Sequence, residues 1–222
     1  RSITVLCGKH SMQKRAIIVF VAVLFCAASW AQESKFLNTV SPKLRQLLTE
    51  QPQALEKLTN ALSHTFSSKT VRLFYFYSNN ESEQKAFHYY PKTIGMADVV
   101  ICIRENQHPL DEFITILFEA VNARGESRVS KLLEDALAGT ISRTGFAREV
   151  TKVEFEATKT TRNLLGDLKV SKEDKAESYY YRRFAECPDD FEAYLSYIKR
   201  VSPKRDAMTE YELHYDALRK RK

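Results

Sequence analysis

The residues best placed to do chemistry lie on one stretch, Pro109–Asn122, which reads PLDEFITILFEAVN. Glu112, Thr115, Glu119 and Asn122 recur there at steps of three, four and three, so a helix would gather them into one polar stripe. Phe113, Leu117, Ala120 and Val121 form the opposite apolar face, with Leu110 and Ile114 beside it. A carboxylate on such a stripe can carry a proton in acid–base work or give oxygens to a metal. Glu154 and Glu156, in the later helical run 146–165, could join Glu119 as an oxygen-only site or a carboxylate pair. The plainer account is a solvated helix face whose carboxylates pair with Arg124, Arg143 or Arg148.

Other kinds of chemistry lack their signatures. His64, His88, His108 and His214 stand apart, with no HxH or HxxxH spacing and no cysteine close by, so nothing points to an imidazole-held metal. With six glycines in the chain there is no GxGxxG, no GxxxxGK[ST] and no GxSxG. The aromatic runs 74–77, 88–90 and 179–181 read as core with an amphipathic rim, and a carbohydrate or peptide groove is their functional alternative.

The elements that would position these residues follow from periodicity. A helical region over 34–68 is broken at Pro52. Three strand-like runs come next, at 71–77, 86–90 and 97–104, the last of them the apolar ADVVICIR. Every later periodic segment is helical: 109–124, 127–137, 146–165, 172–187, 191–201 and 209–221. Helices, a small sheet and then more helices predict an α+β domain.

The front of the chain carries a different signal. From Met12 it reads MQKRAIIVFVAVLFCAASWAQ: a cationic pair at Lys14 and Arg15, an apolar stretch over 16–28, and Ser29-Trp30-Ala31 before Gln32. That apolar stretch is shorter than the roughly 20 residues of a membrane span and fits a secretory signal peptide. Residues 1–31 are therefore expected to be a leader, with 1–11 ahead of the true start. A single domain would follow over 32–222, secreted or periplasmic, with no stable membrane anchor after cleavage. An uncleaved anchor is the alternative, and a lipoprotein reading through Cys26 is disfavoured by bulky Phe25 before it.

Removing the leader removes Arg1, Lys9, Lys14 and Arg15 and no acid, so a formal charge of +6 becomes +2. The remaining basic cluster, 219–222, is a short solvated tail, and no nucleic-acid partner is indicated. Cys102 and Cys187 remain, either bonded to each other in an oxidising compartment or buried as thiols.

The frame Phe118-Glu119-Ala120-Val121-Asn122, following the strand ADVVICIR, resembles the His-Glu-x-x-His motif of the zincin metallopeptidases. In that family two imidazoles one turn apart hold zinc, and the Glu serves a water that the metal polarises. Glu119 matches the Glu, while Phe118 and Asn122 stand where the histidines belong. Glutamate-type zincins take a third, carboxylate ligand from a later helix, so the resemblance implies Glu154 or Glu156 of VEFEA at that position. It spans roughly 71–165. Phe offers no lone pair and Asn is a poor zinc ligand. The implied protein is a zincin-like α+β domain, with about three strands packed against helices. It has no metal or other cofactor and has lost peptidase activity, so it is a pseudoenzyme that binds a protein or peptide partner. Glu119 is its residual catalytic candidate. Two other readings stand beside it: a hydrolase keeping Glu119 as general base with an unusual or absent metal, and an unrelated helical envelope protein.

Overall fold

A computed structural model describes residues 36–66, 71–76, 86–89, 99–105, 107–203 and 206–220. The expected leader and its cleavage site lie outside the described residues. The chain divides into Arg1–Ser41 and a compact unit, Pro42–Lys222. Of the first part only 36–41 are described, where the Thr39 amide donates to the Phe36 carbonyl at 2.8 Å and closes a turn.

The compact unit opens with α1 (Pro42–Glu50) and α2 (Pro52–Phe66). Each begins on a proline, whose missing N–H would have had no partner in the first turn. Leu44 and Leu48 of α1, and Ala54, Leu58, Ala61, Leu62 and Phe66 of α2, are buried. A three-stranded sheet follows, formed by β1 (Val71–Phe76), β2 (Ala86–Tyr89) and β3 (Val99–Arg104). Its order is β1-β3-β2: β1 runs parallel to β3 with Val71 beside Val99, and β2 runs antiparallel with Ala86 beside Ile103. The central strand β3 is buried from Val99 to Ile103, which explains its unbroken apolar sequence.

The helices after the sheet are α3 (Pro109–Asn122), α4 (Glu126–Ala138), α5 (Arg143–Gly166), α6 (Lys172–Glu177), α7 (Tyr179–Ala185), α8 (Phe191–Val201) and α9 (Ala207–Arg219). Among the described residues the protein is thus a mainly helical α+β structure. No described helix is long and apolar enough to cross a membrane. The end of α4 is set by Gly139 at φ 81°, where the Thr140 and Gly139 amides both donate to the Asp135 carbonyl at 2.9 Å.

The run 172–187, expected as one helix, is two. Ser178 breaks it with an extended backbone, and its hydroxyl oxygen accepts from the Tyr181 amide at 3.0 Å while donating to Asp111 at 2.5 Å. A side chain from another helix makes that break, and periodicity within the run carries no trace of it.

Helix α3 is the hub. It packs against α1, α2, α5, α7 and β3. Eleven of its 14 residues are buried, including Asp111, Glu112, Thr115 and Glu119. The expected solvated polar face is therefore corrected: the stripe is enclosed by neighbouring elements. Cys102 and Cys187 are both buried and both free, so the disulfide alternative is also set aside.

Candidate functional site

Each buried acid on α3 has its own neighbours. His108 caps the helix, its Nδ1 accepting from the Leu110 amide at 3.2 Å. Asp111 and Glu112 then occupy the first turn, where the exposed N–H groups favour negative charge. Asp111 reaches α7: it accepts from Ser178 Oγ at 2.5 Å, from the Tyr180 amide at 2.8 Å and from the Tyr179 amide at 3.3 Å. Glu112 reaches the sheet and accepts from Tyr75 Oη at 2.6 Å. These two carboxylates join α3 to its surroundings.

Glu119 is different. It is 6 % exposed in the last turn of α3, the negative end of the helix dipole, so the helix gives no local reason for a carboxylate there. Its charge reaches groups on several elements. It contributes to raising the Glu154 carboxyl on α5, the Tyr211 phenol on α9 and the Tyr180 phenol on α7. It also adds to the effect of burial on the Cys102 thiol of β3. Thr115, one turn before Glu119, buries a hydroxyl that has no hydrogen-bond partner among the described residues.

Glu154 is the second member. Partly buried on α5, it accepts a hydrogen bond from Tyr211 Oη. Burial pushes its carboxyl up to about 7; the Tyr211 hydrogen bond opposes that rise and the Glu119 charge adds to it. Tyr211 is itself raised, by burial first and then by the neighbouring Glu154. Tyr194 of α8 is raised by burial and by the same carboxylate. Helices α3, α5, α7, α8 and α9 thus bring two carboxylates and three tyrosines into one electrostatic neighbourhood.

The elements that hold this cluster have clear local causes. Helix α9 starts on Asp206, whose carboxylate accepts from the Thr209 amide at 3.1 Å. It is fixed along its length by Arg143, whose Nε donates to Asp216 at 3.0 Å, and by Tyr215, whose Oη donates to the Ile141 carbonyl at 3.0 Å. Helix α5 meets the end of α3 at Gly125, where any Cβ would overlap the Val153 side chain. That close approach sets the position of Glu154, one residue further on.

Only some of the sequence candidates meet. Glu119 and Glu154 come together. Glu156 does not: it is exposed and pairs with Arg128 at 2.5 Å, because a step of two residues along α5 turns it to the other side. The ring of Phe118 packs edge-on against Phe184 of α7, with centroids 5.6 Å apart and planes at 72°. Asn122, one turn on, is partly buried. The expected arginine partners are corrected as well: Glu156 pairs with Arg128, and the three arginines named from the sequence are engaged elsewhere. Arg143 binds Asp216 and Glu212, Arg148 binds Glu192, and Arg124 donates to Thr65 at 3.0 Å. Tyr180 belongs to the aromatic run 179–181 already singled out in the sequence, whereas Tyr194 and Tyr211 were missing from the sequence candidates. For Tyr211 a signal exists: it stands one turn before Tyr215, marking the inward face of α9.

These residues do not fit a zinc ion. The two positions that need imidazoles hold an aromatic ring engaged with Phe184 and a carboxamide, which leaves Glu154 as the single ligand of the expected type. Among the described residues no three His, Cys, Asp or Glu side chains converge as a ligand set. What the cluster can do is hold and release a proton near neutrality at Glu154, beside the second carboxylate of Glu119, an arrangement suited to acid–base chemistry. Comparison with protein-family models, with curated proteins and with solved structures returns no match to this chain.

Proposed function

We propose that this chain is a secreted or periplasmic domain on a zincin-like scaffold that has lost its metal chemistry and acts by binding a protein or peptide partner. The observation that carries the reading is the commitment of the Phe118 ring to Phe184 at the position where a zincin presents its first imidazole. Two features support the scaffold itself. Strand β3 leads directly into the helix that bears the motif, and a later helix returns Glu154 to the neighbourhood of Glu119.

The test restores the missing ligands. Phe118→His with Asn122→His puts two imidazoles one turn apart, and with Glu154 they complete a three-ligand zinc set. Losing the Phe118–Phe184 contact costs about 1–3 kcal/mol in the absence of metal. Zinc then restores part of that loss, because it binds the folded chain alone. Thermal unfolding with and without zinc reads both effects. A double variant whose midpoint does not respond to zinc, under conditions where wild type is also unresponsive, removes the scaffold assignment. A wild-type protein that purifies with near-stoichiometric zinc overturns the loss of metal chemistry.

A second reading is favoured by one specific feature, the Glu154 carboxyl at about 7 beside Glu119. It is a hydrolase that uses the two carboxylates without an imidazole-held metal. Under it, turnover of some peptide, ester or glycoside follows the Glu154 ionisation with pH and is lost in both Glu119→Gln and Glu154→Gln.

A further inference from the structure

The arginines of α5 are answered by carboxylates: Arg143 by Asp216 and Glu212, Arg148 by Glu192, and Arg162 by Asp189. The cations of α7 and α8 are not. Arg182 and Arg183 in the last turn of α7, and Lys199 and Arg200 in the last turn of α8, have no carboxylate partner among the described residues. Residues 178–187 and 193–203 hold these four cations and one acid, the exposed Glu186. Acids on neighbouring elements are engaged elsewhere. Asp111 holds Ser178 and the first amides of α7, Asp174 and Glu177 face His108, and Glu192 binds Arg148.

Half-buried Arg183 joins the two helices. Its Nη1 donates to Tyr179 Oη at 2.9 Å, its Nη2 lies 3.5 Å from Ser202 Oγ, and its guanidinium sits 5.5 Å from the Tyr179 ring centroid. The Arg183 carbonyl accepts from Tyr197 Oη at 2.8 Å, and the Arg200 guanidinium lies over the same Tyr197 ring, 5.7 Å from its centroid. Helix dipoles account for cations that stay near the last carbonyls. Arg183 instead runs back to Tyr179 at the start of α7, and Arg200 back over Tyr197. Burial opposes the Arg183 charge, and what offsets it is the oxygens of Tyr179 and Tyr197, with no carboxylate among its neighbours. A neutral donor could make the same bonds to hydroxyls. A partly buried charge is costly without a counter-ion, so the charge itself is what a ligand would explain. Two of the five N–H groups of this guanidinium are placed on hydroxyls, which leaves others for an incoming acceptor.

We propose that Arg183 and Arg200, with the Ser202 hydroxyl, bind the phosphate group of a small soluble ligand. Guanidinium groups recognise phosphate through forked, charge-assisted hydrogen bonds, and stacking on tyrosine holds the fork in place before the ligand arrives. A tetrahedral oxyanion can meet donors that approach from two helices, which suits it better than a flat carboxylate. The site uses neither Glu119 nor Glu154 and stands apart from the proposed function.

The test is isothermal titration calorimetry of the whole chain with inorganic phosphate at constant ionic strength, with acetate as comparison and phosphatidic acid vesicles as a separate arm. Phosphate is expected to bind at millimolar concentration and acetate more weakly. Arg200→Glu changes an exposed side chain and should weaken phosphate by about tenfold or more, since a like charge now faces it. Arg183→Lys keeps the charge, loses the fork and should weaken it less. Lys169→Gln, at an exposed cation elsewhere, should leave binding unchanged. Circular dichroism confirms that the variants keep their helices. Phosphate binding that is unchanged in either arginine variant overturns the proposal, as does an equal loss in Lys169→Gln, acetate binding as tight as phosphate, or the absence of a saturable phosphate signal. Binding to the vesicles with none to inorganic phosphate overturns the small-ligand assignment.

Discussion

Replacing Glu154 with Gln keeps the size of the side chain and an acceptor for Tyr211, and removes a carboxyl whose proton is held up to about 7. The folded chain holds that proton more tightly than the unfolded chain, where the ordinary value is 4.5. This contribution to stability is therefore complete below about 4.5 and is lost as pH rises through about 7. At 1.36 kcal/mol for each tenfold difference in proton affinity, the interval sets a ceiling of about 3 kcal/mol. Gln does not ionise, so the variant escapes that loss. Near pH 5 the two proteins should unfold within about 1 kcal/mol of each other, because a neutral carboxyl and an amide make similar hydrogen bonds. Near pH 8.5 the variant should be the more stable by about 2–3 kcal/mol, a shift of about 1 M or more in the urea midpoint. Equilibrium urea unfolding at both pH values measures the difference of differences, in which the titration of every histidine cancels. Parallel pH profiles for wild type and Glu154→Gln would refute the reasoning: the carboxyl would then be better solvated, or farther from Glu119, than the packing of α3, α5 and α9 implies.

Other consequences can be checked directly. Asp111→Ala removes three hydrogen bonds to the start of α7 and leaves buried donors without partners, so thermal or urea unfolding should show a loss of about 2–4 kcal/mol; a loss below about 0.5 kcal/mol would mean that water replaces the carboxylate without penalty. Gly125→Ala forces a methyl into Val153 and should cost about 1–3 kcal/mol, and pairing it with Val153→Ala should recover most of that cost. The exported protein should begin near Gln32, which mass spectrometry of the secreted or periplasmic form decides; a chain retaining Met12 in a soluble cytoplasmic fraction contradicts the leader.

The sequence by itself determined most of the elements, because those follow from short-range rules. Leucine spacing marked α1 and α2, proline marked their first turns, and the apolar run before Arg104 marked the central strand. It also singled out α3 as the helix carrying the candidate residues, and Glu119 with Glu154 or Glu156 as residues that could act together. The tertiary structure decided what those residues face. A polar stripe on an isolated helix reads as solvated, and only the packing of α1, α2, α5, α7 and β3 around α3 buries Asp111, Glu112, Thr115 and Glu119. The division of 172–187 at Ser178 depends on Asp111, 67 residues earlier in the chain, and periodicity cannot register so distant a cap. Glu154 and Glu156 are indistinguishable in VEFEA, yet a step of two residues on a helix turns one toward Tyr211 and the other toward Arg128 at the surface. Proton affinity is the furthest from sequence, because the rise at Glu154 comes from burial among other helices and from the charge of Glu119, which exist only once the chain has folded.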